Sequence, residues 1–143
     1  MSRPFTLGKD ERLKSLKLID QVFSEGRKFS VASYRIFFLI KKIPGNQLRT
    51  VAPSVTIQFG VGVSGKNFKK AVDRNRVKRL IRESYRLQKN ELQEILKQKK
   101  QLLNLFFVYT GKTLPDFNTT KEKVDVILKR LITIVHENPS PDT

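Results

Sequence analysis

Apolar and polar positions alternate strictly through "SVTIQFGVGVS", where Val55, Ile57, Phe59, Val61 and Val63 are interleaved with Thr56, Gln58, Gly60 and Gly62. Period two predicts a strand with one core face and one face of nearly bare backbone. Small residues on that second face let another stretch of chain approach closely. Upstream, "SYRIFFLIKK" alternates in two registers, with Tyr34, Ile36, Phe38 and Ile40 on one side and Arg35, Phe37, Leu39 and Lys41 on the other. This strand mixes aromatic and cationic residues on its second face. Before it, Leu16, Ile19, Val22 and Phe23 recur at helical spacing between Lys14 and Glu25, and Gly26 stands where a helix C-cap glycine belongs. A turn is predicted at "PGN", Pro44 to Asn46.

From Phe68 to Lys99 the chain contains neither Pro nor Gly, which predicts one long helix with Asn67 as its N-cap. At about 100° per residue, Val77, Leu80, Ile81 and Ser84 share one side, while Asn75, Arg79, Arg82 and Arg86 lie opposite. "NLFFVYTG" reads as a further strand closed by Gly111, and Thr119 with Glu122 forms a capping-box pattern ahead of Val124, Ile127, Leu128, Leu131 and Val135. The predicted order is α, two or three strands, α, β, α, an α+β fold.

With 143 residues and 38% hydrophobic content, the chain suits a single domain over 1–143, ordered from about 8 to 137. The ends, "MSRPFTLGKDE" and "HENPSPDT", are expected to fray. There is no cysteine, hence no disulfide framework or thiolate metal site, and neither a signal peptide nor a membrane span is legible. A soluble cytoplasmic protein is the expectation.

The net charge of +16 points to a polyanionic partner. Between Lys66 and Lys89 there are ten Lys and Arg against Asp73 and Glu83, so half of the net charge is concentrated in this block. A solubilising helix face would intersperse acids, and a membrane-surface helix would need its large apolar residues for insertion rather than for the core. Nucleic acid fits the pattern best, although charge alone does not separate DNA from RNA. The aromatic positions favour single-stranded RNA: Phe37, between Arg35 and Leu39, and the i,i+4 pair Ile19 and Phe23 can offer stacking surface, or Phe23 and Phe37 can be ordinary core.

Catalytic chemistry finds little support. The single histidine, His136, falls at the end of the last predicted helix, and the acid pairs Glu91/Glu94 and Glu122/Asp125 stand beside lysines as on a solvated helix face. No Gly-rich phosphate loop, nucleophile elbow or metal-ligand cluster is present.

"FGVGVSGKNFKKAVDRNRVKRLIRESYR", Phe59 to Arg86, closely resembles the protein subunit of bacterial ribonuclease P, with "RNR" at Arg74, Asn75 and Arg76. "RLKSLKLIDQVFSEG", Arg12 to Gly26, extends the resemblance. It implies a two-layer α/β sandwich with a left-handed crossover into the RNR helix, against the usual hand. It also implies a ribonucleoprotein endonuclease that removes the 5′ leader from precursor tRNA, in which a large RNA is the catalyst and chiefly holds magnesium. The implied partners are that RNA and precursor tRNA, with no membrane and no obligate protein partner. On this resemblance Lys66, Lys69, Lys70, Arg74, Arg76, Lys78, Arg79 and Arg82 meet RNA-subunit phosphates. Asn75 either hydrogen-bonds RNA or shapes the helix start. Arg12, Lys14, Ile19, Phe23, Arg35 and Phe37 would line the leader groove, with Ile19 standing where many relatives carry an aromatic. A structural RNA-binding protein such as a ribosomal protein is the main rival. A DNA regulator would need a helix-turn-helix, and here strands precede the basic helix.

Overall fold

The structure, a computed structural model, describes residues 11–42 and 56–137. The outermost termini, the "PGN" turn and Val55 lie outside the described residues. In chain order the elements are α1 (Leu16–Glu25), β1 (Arg27–Val31), β2 (Tyr34–Lys42), β3 (Ile57–Val63), α2 (Ala71–Gln88), α3 (Asn90–Lys99), β4 (Gln101–Tyr109) and α4 (Phe117–Glu137). The strands form one mixed sheet in the order β1-β2-β4-β3. β2 runs antiparallel to both β1 and β4, and β3 runs parallel to β4. The β3–α2–α3–β4 segment is therefore a crossover, and it carries the basic helix.

Alternation decides which face is filled. Tyr34, Ile36 and Phe38 of β2, Ile57, Phe59 and Val61 of β3, and Leu103, Leu105, Phe107 and Tyr109 of β4 are all buried. They pack with Val77, Ile81 and Tyr85 of α2, Leu92 and Leu96 of α3, and Val124, Ile127, Leu128, Leu131 and Val135 of α4 in one continuous core. Its centre is aromatic: Phe59 stacks on Tyr85 at 3.9 Å and meets Phe107 edge-on at 4.9 Å. Burial raises the Tyr85 hydroxyl well above the ordinary tyrosine range, and the nearby Glu11 charge adds to the effect. α2, α3 and α4 thus form one layer against the sheet, whereas α1 packs across its opposite face.

Several local expectations are corrected. The predicted long helix is two, α2 and α3, separated at Lys89. The Lys89 ammonium turns inward to pair with Glu11, so its side chain is 5% exposed although nothing in the local sequence signals a break. Asn67 is not the N-cap. α2 begins at Ala71 without a side-chain cap, and Asn67 instead donates from Nδ2 to the Thr110 carbonyl at 3.1 Å, tying the β3–α2 loop to the end of β4. α4 starts earlier than the Thr119/Glu122 pattern suggests. Asp116 accepts from the Thr119 N–H at 2.7 Å, and hydrogen bonds from Thr119 lower its carboxyl pKa. Gly26 does follow α1 directly but is extended, with φ −78°, rather than left-handed. Glycine is required there by space, since a Cβ would lie 2.6 Å from the Phe38 carbonyl oxygen. The optional third strand before the crossover is β1, a short edge strand with a mostly exposed pattern.

Candidate nucleic-acid interface

α2 separates core from charge as its periodicity predicts. Val77, Ile81, Ser84 and Tyr85 are buried, while Asn75, Arg76, Arg79 and Arg82 are exposed and Lys78 is half-buried. The two ends of the basic block behave differently. Arg86 pairs with Glu83 within the helix. Arg74 turns back from the first turn, and its Nη1 donates to the carbonyls of Phe68 and Lys69, each at 2.8 Å. Arg74 therefore closes the loop that leads into the helix, leaving its remaining N–H groups for a ligand. That loop is also pinned by Phe68, which is buried and stacks on Tyr109 at 6.1 Å. Lys66, Lys69 and Lys70 project from it and are exposed. Asn75, for which the expectation is a hydrogen bond to RNA or a local bond at the helix start, stands exposed near the start of α2. Its side chain makes no hydrogen bond among the described residues, and the contacts at the helix start come from Arg74.

The segment before α1 runs beside β3. Arg12 bridges to Phe59, and the Leu13 N–H donates to the Phe59 carbonyl at 2.9 Å. Glu11 holds Lys89, Leu13 is buried, and between them Arg12 points out to solvent. Partial burial lowers the Arg82 pKa, and the Arg12 charge lowers it further. Two guanidiniums from segments distant in sequence are thus held in one field, an arrangement that a bound phosphate would relieve. Arg12 consequently joins the charge of α2 to the remainder of the N-terminal group. Lys14 is exposed just ahead of α1, whose first turn is capped by Ser15 accepting from the Leu18 N–H at 3.3 Å.

On the face of the sheet away from the core, α1 covers part and leaves the rest open. The Phe23 ring meets Phe37 at 4.6 Å and Phe106 at 5.2 Å, both edge-on, and is itself 42% exposed. Lys41 donates to Gln21 of α1 at 3.0 Å, fixing the helix over β2. Ile19 is half-buried and Arg35 is exposed at the other end of β2. Phe106 of β4 carries no expectation from the sequence, yet it is the floor of this face. It pairs in register with Phe37 on one side and Gly60 on the other. A Cβ on Gly60 would stand 2.7 Å from the Phe106 ring and 3.2 Å from the Leu13 carbonyl oxygen. The bare backbone of β3 therefore admits an aromatic ring of its neighbouring strand and the N-terminal segment. Alternate glycines in one strand beside an aromatic run in another were the available signal.

Among the described residues no three His, Cys, Asp or Glu side chains come together in a way that could hold a metal ion. His136 is exposed at the end of α4; Glu94 pairs with Lys97 at 3.5 Å and Asp125 with Lys129 at 3.1 Å, as on a solvated helix face. No described helix is long and apolar enough to cross a membrane. The arrangement suits recognition of an extended polyanion, with point charges along α2 and its loop and aromatic rings on an adjoining sheet face.

A sequence profile of the family described as Ribonuclease P matches residues 7–132. The "Ribonuclease P protein component" of Porphyromonas gingivalis is 37% identical over 142 residues, covering 98% of this chain and 96% of the relative. That of Dictyoglomus thermophilum is 33% identical over 125 residues, covering 87% and 88% respectively. Among solved structures, the RNase P protein of Staphylococcus aureus superposes with a TM-score of 0.62 at 16% identity, over 85% of this chain and 94% of that one. At that identity the likeness is one of fold.

Proposed function

The chain belongs to the ribonuclease P protein family, and we propose that it works as the protein component of a ribonucleoprotein that removes the 5′ leader from precursor tRNA, with catalysis by the RNA. The observation that carries this reading is the pairing of two adjoining surfaces: the exposed cations of α2 and its loop, and the open aromatic face of Phe23, Phe37 and Phe106. The first suits the backbone of a large folded RNA, and the second suits an unpaired strand. The family relationship favours this over a ribosomal or other structural RNA-binding role.

The protein's contribution is physical. Arg76, Arg79 and Arg82, with Lys66, Lys69, Lys70 and Lys78, neutralise phosphates so that two polyanions can approach; each contact releases counterions and adds about 0.7 to 0.9 to the salt slope of binding. Arg35, Arg12 and Lys14 border the open face, where a leader base stacking on an aromatic ring would gain roughly 1 to 3 kcal/mol. Among the described residues no three His, Cys, Asp or Glu side chains come together to hold a metal ion, and on this proposal magnesium is held chiefly by RNA phosphates while the protein supplies binding and positioning.

Cleavage of precursor tRNA by protein alone, by ribonuclease P RNA transcribed from the same genome, and by both together tests the proposal. The expected result is no cleavage by protein alone, slow cleavage by RNA alone in high salt, and efficient cleavage at the leader junction by the reconstituted pair. His136→Ala should leave the reconstituted rate near normal. Leader cleavage by rigorously RNA-free protein, abolished by substituting one acidic residue, would overturn the assignment of catalysis to RNA.

A further inference from the structure

β1 is the free edge of the sheet farthest from β3 and α2, and it is bordered by a cluster of cations separate from the basic helix. Register places Lys28 opposite Phe37 on the open face and Arg27 opposite Phe38 on the core side. The Arg27 guanidinium lies over the Phe38 ring at 5.4 Å, and Arg130 of α4 lies over Phe29 at 4.5 Å. The two rings meet edge-on at 5.8 Å, so the guanidiniums flank one aromatic pair. Arg27, Lys28 and Arg130 are all exposed, and among the described residues neither arginine forms an ion pair with an acid.

We propose that the Arg27–Arg130 corner is a phosphate-binding site for single-stranded RNA, through which the 5′ leader, after crossing the Phe37 face, passes over the edge of β1. This rests on the reading of the open face as the leader surface and extends it to more distant leader nucleotides. Continuity supports that occupant: Lys28 borders Phe37, and one step along the strand Arg27 turns to the other side of the same edge. Preorganisation supports it too. A guanidinium resting on a ring gives up less rotamer freedom when it binds phosphate and presents a planar donor fork. Edge cations also discourage strand-to-strand aggregation, but Arg130 comes from a helix rather than from the edge strand.

The test compares Arg27→Gln/Arg130→Gln protein with wild type in the reconstituted complex, using precursor tRNAs that differ only in leader length, together with mature tRNA. Circular dichroism and sedimentation check fold and dispersity. The expected result is weaker binding of the long-leader substrate alone, with its salt slope reduced by about 1.4 for two lost single-strand phosphate contacts. Arg27→Lys/Arg130→Lys should recover most of that slope. Equal losses for long-leader, short-leader and mature tRNA would place the corner against the RNA subunit and overturn the proposal. Unchanged affinity in a protein that self-associates would show the cations guarding the edge, and would likewise overturn it. Failure of the open-face reading is distinguishable, because wild type would then show no preference for precursor over mature tRNA.

Discussion

Phe37 and Phe38 are consecutive in β2 and belong to different halves of the molecule. Phe38 is 1% exposed and faces the layer of α2, α3 and α4, whereas Phe37 lies half-buried on the opposite face against Phe23 and Phe106. On the core side every strand contributes an apolar residue that α2, α3 or α4 covers. On the open side α1 is the one described helix that packs, and arginine, lysine and glycine stand among the aromatics. Equal chemistry therefore has unequal meaning: a ring closed in by helices stabilises the fold, and a ring left partly uncovered beside cations is available to a base.

The comparison breaks most readily on stability. Phe38→Ala should cost about 3 to 5 kcal/mol, read by denaturant unfolding, while Phe37→Ala should cost clearly less. Equal costs would mean that the open face is core after all. The reverse ordering is expected in binding. Phe37→Ala and Phe23→Ala should weaken precursor tRNA by roughly 1 to 3 kcal/mol where a base stacks and leave mature tRNA nearly unchanged, measured on the reconstituted complex.

How much of this contrast the sequence disclosed follows from the period of each signal. Two-residue alternation sorts the side chains of β2 and β3 into two faces, but in β2 it leaves open whether Phe37 belongs to the core, which pairing against Phe106 and the cover of α1 decide. The adjacent rings Phe106 and Phe107 were harder to place. Their strand is apolar on both faces, and which ring meets the core depends on pairing with Phe37 and Gly60, a tertiary fact. The division between α2 and α3 was hidden for a similar reason: it falls where Lys89 turns inward to Glu11, seventy-eight positions away. The basic stripe was legible from helical spacing, but spacing could not show that Arg74 folds back onto the carbonyls of Phe68 and Lys69.

Arg74 sharpens the contrast at the level of charge. Arg76→Ala and Arg79→Ala should each lower the salt slope of RNA binding by about 0.7 to 0.9 without altering the fold. Arg74→Ala should in addition loosen the loop from Ser64 to Lys70, read as faster amide exchange at Phe68 and Lys69. Identical behaviour of all three variants would remove the distinction between a loop-closing and a purely phosphate-facing arginine.

A further effect is confined to the core face and to alkaline pH. Burial and the neighbouring Tyr109 push the Tyr34 hydroxyl up, opposed by a hydrogen bond with Thr120, to about 12. An unfolded tyrosine titrates near about 10. Between those values the unfolded chain releases its proton first, so Tyr34's share of stability should be lost as pH rises from about 10 to about 12, on top of the alkaline losses from Tyr85 and Tyr109, whose hydroxyls burial also raises. Tyr34→Phe should flatten that part of the pH–stability profile. An unchanged slope would mean that Tyr34 is not the group responsible.

Photocrosslinking tests the assignment of the two faces most directly. With 4-thiouridine placed in the leader of precursor tRNA bound to the reconstituted complex, crosslinked peptides identified by mass spectrometry should contain Phe23, Phe37 or Phe106. Crosslinks that fall mainly on α3 or α4, with none on the open face, would contradict the account.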